Sequence, residues 1–444
     1  MRGFADRAQG CGNVAPRALF GPAEGEFSRD GGVLHRHCRR DAFPSHSNDA
    51  GDRMQLLFDR DEYRARVGRV QAAMRARGID VLLVSNPANQ FWLTGYDGWS
   101  FYTPQMVVVH VDVADPFWFG RKMDAAGAKF TACLGQENII PYPDRYVGSD
   151  TLHPMDYLVD LLKSRGWDKG RIAAEQDDYY YTAKWNRILV AGLGQGEFDD
   201  GFLLVNRCRM VKSPRELLYM RQAGQIATLA QDSARKLCRP GVRQCDVMAE
   251  LYRVTTSGTP EFGGTFPCKP PNAMVGERAS APHLSWTDAP LVEGEIFYIE
   301  MGGVRHRYHS PLSRCVHVGD PPAALIETTR VIREGLEAAL DVVKPGALCQ
   351  DMAAAWEAVI RRHGIEKDSR IGYPVGIGFP PTWGELTCSL RAGDTTVMEE
   401  NMTFHCIPAL WRDDYGLVVS ETFAVTPGGA ECFADCPRDL LVAG

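Results

Sequence analysis

Two stretches, beginning at residues 239 and 344, constrain this chain more than anything else in it. "RPGVRQCDVMAEL" and "KPGALCQDMAAAW" share a basic residue, a Pro-Gly pair and an aspartate six residues after the proline. Each follows long helical text, leads into a second helix and precedes strand-like sequence. A spacing of 105 residues is too long for a solenoid and fits two halves of one domain built from a duplicated α-β unit. A chain of 444 residues is also long for one core, so a further domain is expected beside the duplicated one.

The text upstream supplies it. "RDEYRARVGRVQAAMRARG" has the period of an amphipathic helix closed by Gly78, and "IDVLLVSN" reads as a buried strand turning at Asn86-Pro87. "MVVVHVD", "DPFWFG" and "RIAAEQ" continue the strands, with helical text such as "PMDYLVDLLKSRG" between them. This α/β unit ends near "FLLVNRCRMVKSPRELL". There Ser213 and Glu216 form an S-x-x-E capping box around Pro214, opening a helix that stops before Pro240-Gly241. Residues 1–53 are rich in Gly and Arg without apolar periodicity and lack the apolar core of a secretory signal, so a disordered extension is expected there. Its "LHRHCRR" cluster could bind a metal in principle, but no folded frame is expected around it.

Composition narrows the function. A net charge of −7 argues against a nucleic-acid partner, and no run approaches the roughly 20 apolar residues of a membrane helix. The thirteen cysteines are scattered, odd in number and without a CxxC pair. Reduced thiols in the cytoplasm are therefore expected, rather than zinc or a disulfide scaffold.

"VKSPRELLYMRQAG", "APLVEGEIFYIEMGG", "IGYPVGIG" and "VVSETFAVT" resemble the pita-bread hydrolases, the family of methionine aminopeptidase, aminopeptidase P and creatinase, over roughly residues 55–440. The resemblance implies an α/β (α+β) protein. Residues 54–205 would form a creatinase-like N-terminal domain, and residues 206–444 a pita-bread catalytic domain with an internal pseudo-twofold repeat. The metallopeptidases of that family hold two divalent cations with two Asp, one His and two Glu. Laid onto this chain, those positions fall on Glu300, Pro311, Tyr373, Ile407 and Glu421. Proline and isoleucine side chains cannot ligate a metal, and tyrosine is a rare ligand for zinc or manganese. No metal and no cofactor are expected.

What remains resembles the metal-free, creatinase-like branch. "WLTGYDGWSFYTPQ", "PHLSW", "RYHSPLSR", "HGIEKDSRIGYPVG", "PPTWGELTCSLR" and "NMTFH", in that order, resemble its ectoine-hydrolysing members. The resemblance implies a cytoplasmic homodimer that opens a cyclic amidine, with functional coupling to a deacetylase. It places His283, Glu300 and Glu421 in catalysis. Glu300 is the acid nearest the reaction, His283 moves protons, and Glu421 holds the amidinium, although the two glutamates could exchange roles. A carboxylate suits the two N–H donors of an amidinium, and aromatic walls suit a flat cation. Trp99, Phe101, Tyr102, Tyr373 and Trp383 are candidate walls, with Glu385 and His405 as further substrate contacts. The plainer alternatives are a loop histidine at His283, hairpin packing for the "GYDGWSF" aromatics, a satisfied strand histidine at His405 and a structural ion pair for Arg314. Rival functions are a metal-dependent Xaa-Pro aminopeptidase, a hydrolase of another amidine or guanidine such as creatine, and a binding protein without catalysis.

Overall fold

The computed structural model describes residues 56–194 and 196–443; the expected extension over residues 1–53, with its "LHRHCRR" cluster, lies outside the described residues. Six strands form the first sheet: β1 (Val81–Val84), β2 (Met106–His110), β3 (Phe117–Arg121), β4 (Ile139–Tyr142), β5 (Arg171–Ala174) and β6 (Glu197–Asp200), in the order β4-β3-β2-β1-β5-β6. Their apolar runs are buried on both faces, as a sheet covered by helices requires. Leu82, Val84, Val107 and Val109 point into one core, while Val81, Leu83, Met106 and Val108 point into another.

The second sheet is built from β7 (Asn272–Val275), β8 (Ile296–Arg305), β9 (Tyr308–Val318), β10 (Gly372–Phe379), β11 (Thr382–Gly384), β12 (Thr403–Cys406), β15 (Glu421–Thr426), β16 (Gly429–Cys432) and β17 (Leu441–Ala443). Its path runs β16-β15-β12-β10-β9-β8-β7, with β11 on β10 and β17 on β9, while β13 (Ala409–Trp411) and β14 (Gly416–Val418) form a separate hairpin. Phe297, Ile299, Met301, Leu312 and Val316 pack against helices Pro214–Leu237 and Gln244–Ser257. Phe404, Cys406, Phe423 and Val425 pack against helices Ala323–Asp341 and Cys349–Arg362. Residues of opposite parity on these strands face away from the helices.

The duplication is present in the backbone. Gly241 and Gly346 both take left-handed φ, 86° and 92°, which a Cβ would disfavour. Each N–H then bonds across to the other side of its own half, Gly241 to Leu291 O at 2.9 Å and Gly346 to Met398 O at 2.9 Å. The return bonds, Leu291 to Val242 O and Met398 to Ala347 O, match as well. Two helix–turn–helix units thus grip their strands in the same way. No helix among the described residues is long and apolar enough to cross a membrane.

A buried acid ties the first sheet's domain to the second. Glu216 completes its capping box with Ser213 and accepts hydrogen bonds from Trp92 Nε1 at 3.1 Å and the Tyr308 hydroxyl at 2.9 Å. Arg66, stacked 3.9 Å over the Phe58 ring, lies 3.6 Å from the same carboxylate. Glu216→Ala would leave two buried donors and a buried guanidinium short of an acceptor, and should cost about 3–5 kcal/mol in chemical denaturation. A loss no larger than that of an exposed helix cap, about 1 kcal/mol, would show that the carboxylate is not what joins the halves.

Candidate active site

Glu300 lies on the face of β8 turned away from the helices, opposite Asn272 on β7 and Ser313 on β9. Its Oε2 accepts hydrogen bonds from Asn272 Nδ2 at 2.6 Å and from the Tyr298 hydroxyl at 2.9 Å, and the Lys269 ammonium stands 3.7 Å away. Burial works against the charged form. The Lys269 charge and the two hydrogen bonds outweigh it, and the carboxyl is held below the usual glutamate range. Oε1 carries no hydrogen bond from the described residues.

This carboxylate opens into a cavity of about 290 Å³ lined by Lys269, Asn272, His283, Arg370, Tyr373 and Trp383, among others. Trp383 forms a wall, with the Lys269 ammonium 4.3 Å over its ring and its indole N–H donating to the Tyr373 hydroxyl at 3.0 Å. The Arg370 guanidinium lies 4.8 Å over the Tyr373 ring and pairs with no acid among the described residues. His283 is exposed, in the loop that follows the short helix Gly276–Ser280. His405 sits one layer behind, between the Tyr373 hydroxyl (3.3 Å from Nδ1) and Ser420 Oγ (2.8 Å from Nε2). Burial pushes its pKa down to about 4, so the ring is neutral at pH 7.

The structure thus brings His283, Glu300, Tyr373 and Trp383 together, with His405 behind them. It does not bring Glu421 there. In the β12–β15 register Glu421 opposes Cys406, on the helix side of the sheet, and its carboxylate is taken by Arg314 at 2.7 Å and Arg438 at 3.0 Å. The expectation that Glu421 grips the substrate is corrected by strand parity. Glu385 is corrected too. It is fully buried, bonded by Lys212 Nζ at 2.9 Å and Arg209 NH1 at 3.0 Å, an ion-pair network rather than a substrate contact. Trp99, Phe101 and Tyr102 do not line this chain's cavity. Trp99 packs edge-on to Phe101 and Phe266, and Arg307 lies 4.2 Å over Phe266 while bonding Asp97. Lys269, Asn272 and Arg370 escaped the sequence reading. Tyr298 could have been found, because two residues before Glu300 in a strand is the same face.

Fold and cavity define a hydrolase of the pita-bread class. Residues 66–211 match the creatinase/prolidase N-terminal domain and residues 219–427 match metallopeptidase family M24. An ectoine hydrolase of Halomonas elongata is 44% identical over 396 residues, covering 88% of this chain and 99% of that protein. An uncharacterized hydrolase/peptidase, y4tM, of Sinorhizobium fredii is 42% identical over 87% of this chain and 99% of its own length. The X-Pro aminopeptidase of Thermotoga maritima superposes with a TM-score of 0.71 at 19% identity, over 85% of this chain and 99% of that one. The chain belongs to the M24 family, in its creatinase and aminopeptidase P-like group.

The family name implies a metal, and the residues present do not fit one. Glu300 already faces a lysine ammonium, Glu421 is on the other face between two arginines, and no group of three or more His, Cys, Asp or Glu among the described residues could hold an ion. Histidines buried in the neutral form couple the fold to pH. His405, held near 4, takes up a proton in the unfolded chain below about 6.5, so stability falls as pH drops from 6.5 toward 4. His309, held near 3, acts in the same sense. The denaturant midpoint should fall between pH 7 and pH 5, and His405→Gln should fall less steeply. Equal slopes for the two proteins would show that His405 is not buried neutral.

Proposed function

We propose that this enzyme hydrolytically opens the ring of ectoine, and of 5-hydroxyectoine, to N-acetyl-2,4-diaminobutyrate without a metal. The observation that carries the reading is the charge pattern of the cavity. One anchored carboxylate, Glu300, stands among Lys269 and Arg370 against the aromatic wall of Trp383 and Tyr373. A compact zwitterion matches it, its amidinium toward Glu300 and its carboxylate toward Arg370. The similarity to the Halomonas elongata ectoine hydrolase over nearly that protein's whole length supports the same substrate.

Chemistry follows from the two oxygens of Glu300. Oε2 is held by Asn272 and Tyr298, which fixes the carboxylate's direction, while Oε1 is free to work on C2 between the ring nitrogens. It can attack C2 directly, giving a covalent intermediate that water hydrolyses, or take a proton from a water that attacks C2. A lowered pKa keeps the group ionised for either role. Lys269 supplies the positive charge that a divalent ion supplies in the metallopeptidases. His283, which lines the same cavity, passes protons to the departing nitrogen in this reading.

The reading extends to a cytoplasmic homodimer acting ahead of a deacetylase. The "GYDGWSF" loop supports the dimer: Trp99 and Tyr102 are 50% and 75% exposed, and an adjoining copy could cover them.

Ectoine consumption followed by NMR, before and after exhaustive chelation with bound metal quantified, should be unchanged by chelation. Turnover lost on chelation and restored by a metal would overturn the metal-free mechanism. No turnover of ectoine, with turnover of creatine or another amidine, would move the substrate. Glu300→Gln should abolish activity while the protein stays folded, and His283→Ala should cost about 10²–10⁴-fold in kcat. A His283→Ala loss under tenfold would remove that residue from the mechanism.

A further inference from the structure

The hydrogen bonds behind the cavity wall form a chain whose protons can be counted. At one end the Ser313 N–H donates to Ser420 Oγ at 2.7 Å. Ser420 Oγ then lies 2.8 Å from His405 Nε2 and has no other partner among the described residues. Its own proton therefore has one acceptor, Nε2. A histidine that accepts at Nε2 and is neutral carries its proton on Nδ1, which faces the Tyr373 oxygen at 3.3 Å. At the other end the Trp383 indole, which can only donate, bonds the same oxygen at 3.0 Å. The Tyr373 oxygen thus accepts from two sides. Its O–H finds no acceptor among the described residues and is left for the cavity that Tyr373 lines.

We infer that Tyr373 is a catalytic hydrogen-bond donor, aimed by Trp383, His405 and Ser420 at the oxygen that becomes joined to the substrate's amidine carbon. The inference rests on the ring-opening reading and names a group for a step that reading left unassigned. In the direct-water route, the water oxygen bonds to C2 and one water proton passes by way of Glu300 to the departing nitrogen. The C2–N bond then breaks with its electron pair staying on nitrogen. C2–OH becomes the amide carbonyl, and its proton also ends on that nitrogen. Negative charge gathers on the C2 oxygen as that proton leaves, and a fixed O–H donor stabilises it there. Tyr373 keeps its own proton throughout. Burial raises its pKa above the ordinary tyrosine value, which suits a donor that is not consumed. Trp383, His405 and Ser420 are positioning residues, since each acts through the Tyr373 oxygen.

The test uses the full-length enzyme. Tyr373→Phe keeps the ring and removes the proton; kcat for ectoine should fall about 10²–10³-fold, the loss typical of one oxyanion donor. KM should stay within about threefold, because the bond strengthens only as the adduct collapses. Selective ¹⁵N-histidine NMR of the ligand-free protein, with the His405 signal assigned by its loss in His405→Gln, should show the Nδ1–H tautomer. Ser420→Ala, with an unchanged melting temperature, should shift that tautomer and lower kcat about tenfold or more, since Nε2 loses its donor. A Tyr373→Phe kcat within about threefold of wild type, or an Nε2–H tautomer in the resting enzyme, overturns the inference. Wild-type protein inert toward ectoine overturns the functional reading instead; the tautomer, read without substrate, still decides where the Tyr373 proton points.

Discussion

Ten successive residue pairs, from Ile296 opposite His317 to Arg305 opposite Tyr308, lock β8 to β9. Because side chains alternate along a strand, this register sends Ile299 and Met301 into the helices and Tyr298 and Glu300 toward the cavity. A slip of one residue would carry the Glu300 charge into a packed apolar layer and strand Ile299 beside Lys269. The cost of burying an unpaired carboxylate is large enough that the hairpin has one workable register. Asn272 is placed against that hairpin through β7 and Tyr373 through β10, and His405 follows on β12, which pairs with β10.

The same alternation accounts for how a metal-binding frame can keep its carboxylates. A buried acid needs positive charge nearby, whatever its source. On the cavity side Lys269 provides it for Glu300; on the helix side Arg314 and Arg438 provide it for Glu421. The positive charge beside each acid is covalently part of the chain, so the field there is set when the protein folds. Arg314 also donates to the Ser420 carbonyl at 2.6 Å, so the ion pair on one face is tied to the residue whose hydroxyl meets His405 on the other.

Much of this was legible in the sequence. The Pro-Gly echo predicted two like halves because a left-handed glycine between helices has few substitutes, and the matching bonds at Gly241 and Gly346 are its physical content. The Ser213–Glu216 capping box is a local device within one turn, and it is present. What could not be read depended on distance or parity. Glu385 sits in a proline-rich loop that invites a functional reading, but its partner Lys212 is 173 residues away in sequence. In "SETF", nothing local says whether Ser420 or Glu421 turns toward the cavity; the pairing with β12 decides it. Lys269 and Asn272, in "PCKPPN", belong to a segment without periodicity, so their approach to Glu300 appears only once β7 is paired with β8.

The network around Glu385 reaches further than the ion pair itself. Asn206 donates to the Glu385 carbonyl at 3.0 Å, Arg209 bonds both the Glu385 carboxylate and Asn89, and Asn89 continues to Glu175 at 2.6 Å. Glu385 follows Trp383 by two residues, so the cavity wall is tied to polar groups from residues 66–211, the stretch that matches the creatinase/prolidase N-terminal domain. The catalytic half is consequently not a module. Cut free near residue 212, it would carry a buried carboxylate stripped of Arg209 and a cavity wall without its anchor. Recombination with the N-terminal domain of a relative would succeed only where Asn89, Asn206 and Arg209 travel with it.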